Sequence, residues 1–270
     1  MLLPLVINPA QLSSVIGKED LIVLDLSSHD NYSLQHIQGA IWVDANRLLR
    51  GTAPVANKLP SDQQLSELFS DIGITHRSHV VVYDDQNGPL AGRFIWSMHC
   101  VGLTNTSFLN GHLSAWTTAG YATEQTNNPA IPSSLTVSAS SELIADKEYL
   151  LTHIKTSDIS IWDARSHAEY TGERIVNAAK GGHIPGAQWL EWTDTLIQQE
   201  PPVLASPETL MKMIMSAGID PEKTVITHCQ THRRSGLTYI AALHAGLKKI
   251  KCYDGSWFEW GNAEDTPVEI

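Results

Sequence analysis

Apolar positions in this chain fall into short, dense blocks separated by polar stretches. Leu21-Ile22-Val23-Leu24-Asp25-Leu26 and Ile159-Ser160-Ile161-Trp162-Asp163-Ala164 are two such blocks, each with an aspartate near its end. His79-Val80-Val81-Val82-Tyr83-Asp84 and Thr224-Val225-Ile226-Thr227 are β-branched. Continuous apolar runs of this length predict buried strands. Residues 62–71 and 207–217 carry apolar residues at helical spacing instead, and Ser206 and Pro207 supply a cap and a first-turn proline. A further helical pattern, Leu237-Thr238-Tyr239-Ile240-Ala241-Ala242-Leu243, follows the last strand. Strands alternating with helices predict βα units and a mostly parallel, doubly wound α/β sheet. In such sheets the loops at the carboxyl ends of the strands form the site.

The pattern occurs twice. The first copy runs through the strand at 21–26, Tyr32 and His36-Ile37-Gln38-Gly39-Ala40-Ile41. The second runs through the strand at 159–164, Tyr170 and His183-Ile184-Pro185-Gly186-Ala187-Gln188. The β-branched strands at 79–84 and 223–229 then correspond. So do Leu109-Asn110-Gly111-His112-Leu113-Ser114-Ala115-Trp116 and Tyr253-Asp254-Gly255-Ser256-Trp257-Phe258-Glu259-Trp260. Between the copies, Glu124 to Ser134 is polar and contains two prolines, which suits an exposed connection near residue 130. The expected division is a first domain over 1–128, a connection over 129–140 and a second domain over 141–270.

Composition narrows the class. At 270 residues, 42% hydrophobic and 17% charged, the chain is a globular protein long enough for two cores. Its net charge of −11 argues against nucleic acid as a partner. No apolar run is long enough for a membrane span. The apolar start Met1-Leu2-Leu3-Pro4-Leu5-Val6-Ile7 lacks the basic residues and cleavage site of a signal peptide. Three cysteines, an odd and sparse count, do not make a disulfide framework. A cytoplasmic location is expected.

The densest chemistry lies in His228-Cys229-Gln230-Thr231-His232-Arg233-Arg234-Ser235-Gly236, between a predicted strand and a predicted helix. A cysteine there faces its own loop's N–H groups and the positive end of the helix. Arg233 and Arg234 stand four and five residues on. All three features favour the thiolate, which is the nucleophile. The equivalent position in the first copy is Asp84, and a carboxylate cannot do thiol chemistry. A single active site, in the second copy, is therefore expected. Cys100 and Cys252 lie in apolar or strand-like runs without a basic cradle and read as small buried hydrophobes.

Taken together, His183-Ile184-Pro185-Gly186-Ala187, the cysteine loop and the closing Tyr253–Trp260 segment resemble the two-domain form of the rhodanese family of sulfurtransferases. The loop Cys-Gln-Thr-His-x-Arg-Ser is similar to a bacterial branch assigned to thiosulfate sulfurtransferase activity. The resemblance implies two tandem rhodanese-like α/β domains, each a mostly parallel sheet flanked by helices on both faces. It implies that Cys229 takes a sulfane sulfur from a small anionic donor and passes it, as a persulfide, to cyanide or a thiol acceptor. Neither metal nor cofactor is needed, because the enzyme sulfur is the carrier. The alternatives are a 3-mercaptopyruvate sulfurtransferase and a persulfide relay to a protein acceptor. A cysteine phosphatase is disfavoured, because its loop is one residue longer and the smaller ring here suits sulfur better than phosphate.

Roles follow for the neighbours. Gln230 and Thr231 are expected to present backbone N–H groups to substrate, with Ser235 closing the cradle. Arg234 suits either the oxygens of the donor or an ion pair with Asp or Glu. Arg233 stands at the entrance or points to solvent. His232 forms a polar lip or transfers a proton. Arg165 braces the loop through Asp163, and Trp257 packs in the core or walls the pocket. His36 and His183 recur in both copies, so both are expected to be structural. In other rhodanese groups an arginine that helps bind the donor stands four residues after the Asp-x-Arg arginine; here that place holds Glu169, which leaves donor binding to the loop arginines.

Overall fold

The structure is a computed structural model that describes residues 3–270. Met1 and Leu2, the first residues of the apolar start, lie outside the described residues. Backbone contacts divide the chain into two compact units. The first runs to Arg50 and includes Leu59–Ser140 and Gln198–Val203; the second comprises Gly51–Lys58, Ser141–Ile197 and Leu204–Ile270.

The first unit is built on a five-stranded sheet. In spatial order its strands are Val6–Ile7, Thr106–Leu109, His79–Tyr83, Leu21–Asp25 and Ile41–Trp42, and every neighbouring pair is parallel. The second unit has four parallel strands, Ile250–Cys252, Thr224–His228, Ile159–Asp163 and Ala187–Trp189. The central strands His79–Tyr83 and Ile159–Asp163 are buried along their whole length, which is why they read as continuous apolar runs. Val23, Val81, Tyr83, Leu109 and Trp116 share one core, and Ile161, Ile226, Tyr253, Trp257 and Trp260 the other. The helices Asp62–Asp71 and Pro207–Ser216 form where the spacing predicts them, and the Ser206 side chain caps the second. Among the described residues no helix is long and apolar enough to cross a membrane.

Both units repeat one latch. Tyr32 stacks on His36 at 3.8 Å and Tyr170 on His183 at 3.8 Å, and each imidazole Nδ1 meets its tyrosine's carbonyl, at 2.7 and 3.0 Å. Glu124 accepts the N–H of Gly39 and Glu269 that of Gly186. The recurring histidines are thus structural hydrogen-bonding groups, as their recurrence predicts. Gly182 is required for the second latch. Its φ is +99° and a Cβ there would lie 2.1 Å from the Glu269 carbonyl oxygen, so no side chain fits beneath the C-terminal segment.

The segment expected as an exposed connection is partly ordered by a neighbouring helix. Asp62, Ser66 and Ser70, one turn apart on Asp62–Asp71, accept the backbone N–H groups of Ala139, Val137 and Leu135. Leu135 and Val137 point inward and are buried.

Candidate active site

The site grows from the strand pair Ile159–Asp163 and Thr224–His228, whose register sets Asp163 opposite His228. Cys229 is the next residue. The chain then turns through Gln230–Arg233 and enters the helix Arg234–Ala245, which ends at Gly246 in the left-handed region. A strand that stops and a helix that starts within a few residues must turn its N–H groups inward, toward one point.

The loop is stapled from behind. Trp257 N–H donates to the Cys229 carbonyl at 3.0 Å and Phe258 N–H to the Gln230 carbonyl at 2.9 Å. Cys229 N–H donates to Ser256 Oγ at 3.4 Å, and that hydroxyl donates to the Tyr253 carbonyl at 2.8 Å. The side-chain amide of Gln230 donates to the Val176 carbonyl, so this side chain is turned away from the sulfur.

Cys229 is 1% exposed. Burial by itself would push its thiol up. The Arg234 charge, the Ser235 hydroxyl and the N–H groups of Ser235 and Thr231 outweigh burial and hold it below its ordinary value. Ser235 Oγ donates to the sulfur at 3.5 Å and lies 2.7 Å from His232 Nδ1. A hydroxyl that donates to sulfur must accept from the imidazole, so His232 carries its proton on Nδ1 in that arrangement.

His232 corrects one sequence expectation. It is fully buried, with φ +56°, and cannot be a polar lip. The tight left-handed turn folds the imidazole under the loop, a step that single-residue polarity does not reveal. Arg233 is exposed, whereas Thr231 and Arg234 are half-buried.

Arg234 donates with both terminal nitrogens to Glu169, Nη1 to Oε2 at 2.7 Å and Nη2 to Oε1 at 2.8 Å. The ion pair, one of the two roles expected for Arg234, is formed. Burial would raise the Glu169 carboxyl, but Arg234 and Ser166 together bring it down to about 2. Arg234 shifts in the complementary direction, upward.

Arg165 braces the loop as expected. Its Nε donates to Asp163 at 3.0 and 3.1 Å, and its Nη2 donates to Asp163 at 2.6 Å and to the Gly182 carbonyl at 2.8 Å. The Trp257 ring lies 4.3 Å from the guanidinium carbon, so Trp257 packs behind the brace. Burial would raise the Asp163 carboxyl, but His228, when protonated, and the permanent charge of Arg165 hold it below its ordinary value. Burial lowers His228 below its ordinary value.

Two contributors escaped the sequence reading. Ser256 holds Cys229 from outside the loop. Glu169 was seen only as a missing arginine. Its signal was the spacing Ser166-x-x-Glu169, a capping box, whose hydroxyl and carboxylate meet at 2.7 Å.

Two stretches of the chain, residues 8–119 and 146–263, match the Rhodanese-like domain family. The chain is 41% identical over 268 residues to the thiosulfate sulfurtransferase of Azotobacter vinelandii, covering 99% of this chain and 98% of that protein. It is 26% identical to the 3-mercaptopyruvate sulfurtransferase of Escherichia coli K12, covering 94% of this chain and 88% of that one. Among solved structures, the crystal structure of YnjE aligns with a TM-score of 0.86 at 26% identity, over 98% of this chain and 68% of its own. The anaerobic ergothioneine biosynthesis enzyme of Chlorobium limicola aligns with a TM-score of 0.88 at 23% identity, over 98% and 70%, a likeness of fold.

Proposed function

Because the chain belongs to the rhodanese-like domain family, we propose that it moves the outer sulfur of thiosulfate to a thiophilic acceptor through a Cys229 persulfide. The observation that carries this reading is the placement of the Cys229 sulfur, whose thiol is lowered by the Arg234 charge, the Ser235 hydroxyl and the N–H groups of Ser235 and Thr231.

In the first half-reaction the thiolate attacks the sulfane sulfur of thiosulfate. A new S–S bond forms, the old one breaks, and sulfite leaves with the bonding pair. In the second, the carbon lone pair of cyanide attacks the terminal sulfur of the persulfide. Thiocyanate forms and the thiolate returns. Both the thiolate and the persulfide are anions, so one ring of donors serves both states. The enzyme sulfur carries the transferred atom and no outside oxidant or reductant enters.

In this reading the silent domain spans 1–128, the connection 129–140 and the catalytic domain 141–270. Thr231, Ser235 and Arg233 face the donor, and Asp163, Arg165 and Trp257 support the loop from behind. The 3-mercaptopyruvate alternative is less well supported, because the chain is 41% identical to a thiosulfate sulfurtransferase and only 26% identical to a 3-mercaptopyruvate sulfurtransferase. The three cysteines are free thiols, which fits a reducing compartment such as the cytoplasm.

The test is Cys229→Ser. We expect thiosulfate:cyanide turnover to disappear. We also expect thiosulfate to add about 32 Da, one sulfur, to the parent protein and nothing to the variant. Retained turnover in the variant would sink the reading, and so would an adduct carried by Cys100 or Cys252. Comparing kcat/KM for thiosulfate and 3-mercaptopyruvate separates the two donors.

A further inference from the structure

We propose that Glu169 is a positioning residue for the sulfur chemistry: it clamps the fork of Arg234 so that the guanidinium faces Cys229 rather than the incoming donor. The inference rests on the reading of Cys229 as the reactive sulfur.

The geometry is a chain of fixed contacts. Ser166 holds Glu169 from one side, its Oγ and N–H donating to Oε2 at 2.7 and 3.2 Å. Glu169 in turn takes both terminal nitrogens of Arg234 in a parallel, end-on pair. Glu169 is almost fully buried, so the pair is not a screened surface contact. The charge of the same guanidinium lowers the Cys229 thiol. With its end-on face on the carboxylate, the guanidinium has only its remaining N–H groups for the oxygens of a sulfonate. What it retains is directed charge on the sulfur.

Another charge faces this pair. Glu191 comes from the segment beyond the strand Ala187–Trp189 and interacts with both Arg234 and Glu169. Acidic groups near an arginine weaken its field at the thiol unless it is held close. Glu169 therefore has two opposing effects on Cys229. Its own negative charge disfavours the thiolate, and its clamp favours it by fixing Arg234 in place. Arg234 is the leading influence that lowers the Cys229 thiol, which makes the clamp the larger effect in a dry site.

The experiment measures the pH midpoint of Cys229 alkylation by iodoacetamide, with the modified cysteine identified by mass spectrometry, in the full chain and in Glu169→Ala and Glu169→Gln. A clamp predicts that the midpoint rises by about one pH unit in Glu169→Ala and less in Glu169→Gln, which keeps one acceptor. It further predicts that kcat falls about tenfold while the KM for thiosulfate stays level or falls, because the freed fork can now bind the donor's oxygens. Ser166→Ala, which leaves the ion pair but frees the carboxylate, should shift the midpoint in the same direction by less. An unchanged or lowered midpoint in any soluble, folded variant overturns the inference, for then Glu169 only screens Arg234 or only stabilises the fold. Failure of the reaction reading itself is separate. It appears as turnover surviving Cys229→Ser, whatever the alkylation profile does.

Discussion

The loop after Tyr83 and the loop after His228 are the same anion cradle put to opposite uses. In the second unit the cradle surrounds a sulfur that can leave and re-enter bonds. In the first it surrounds Asp84, whose Oδ1 accepts the N–H groups of Gln86 and Gly88 at 2.9 and 2.8 Å. Its Oδ2 accepts those of Leu90 and Ala91 at 2.9 and 3.0 Å. The support is conserved in kind: Asp84 N–H meets His112 Nδ1 at 3.3 Å, where Cys229 N–H meets Ser256 Oγ. His112 and Ser256 both have a φ of +54°. The first cradle is thus permanently filled by a tethered carboxylate. The comparison teaches that one loop geometry serves two occupants, a fixed carboxylate in the first unit and a thiol in the second.

The strand ends beneath the cradles differ too. Asp163 and Asp25 are both fully buried. Arg165 pairs with Asp163, while Ser27 stands two residues after Asp25 and offers its N–H at 2.7 Å. Burial therefore wins at Asp25 and raises its carboxyl, whereas the neighbouring charges win at Asp163 and lower it.

Exchanging the occupant is the harshest way to probe this comparison. Cys229→Asp should abolish sulfur transfer, to below about one part in a thousand of the parent rate, since the thiolate is the nucleophile. The fold should survive, because the cradle accepts a carboxylate; near-UV circular dichroism with the turnover assay checks both.

Emptying the other cradle is next. Asp84→Ala leaves four inward N–H groups without their acceptor and should destabilise the first unit by about 3–5 kcal/mol in urea melts. Sulfate should restore part of that loss by binding where the carboxylate was. Equal destabilisation with and without sulfate would mean that the cradle collapses once empty.

The aspartates should respond to pH with opposite sign. The folded value of Asp163 lies below 3.8, so its ionised form stabilises the fold above that pH and the benefit fades as pH falls toward the folded value. The penalty of Asp163→Asn, roughly 2–4 kcal/mol at neutral pH, should therefore shrink in acid. Asp25 has a folded value above 3.8, so its contribution is full below that pH and is lost as pH rises through the folded value. Asp25→Asn should thus become relatively more favourable as pH rises. Melting temperatures of the two variants between about pH 2 and 8 should show these slopes.

The mildest effect is expected at Arg233, the exposed guanidinium of the loop. Arg233→Ala should raise the KM for thiosulfate about two- to fivefold and leave kcat within twofold, with a weaker salt dependence than the parent. A large loss of kcat would place Arg233 on the reacting atoms instead.

Much of this was legible in the residues. The buried β-branched strands, the capped helix at Ser206 and the doubling of the pattern all follow from local periodicity. Asp84 against Cys229 was readable as silence against reactivity, because the two side chains differ in chemistry at one aligned position. The Arg165 brace was also readable, since Asp163 and Arg165 are two residues apart at a strand end. What was not readable involved side chains brought together from distant segments or folded by a turn: Glu169 on Arg234, Ser256 under Cys229, and the burial of His232.

Sequence alone determined the α/β alternation, the repeat and the candidate nucleophile, because these depend on side-chain type and short-range spacing. Only the tertiary structure decided that Arg234 pairs with Glu169 and that Asp84 fills its own cradle with four hydrogen bonds. The reason is physical. A hydrogen bond depends on the separation and direction of two atoms, and for residues far apart in the chain both are set by how strands register and loops turn.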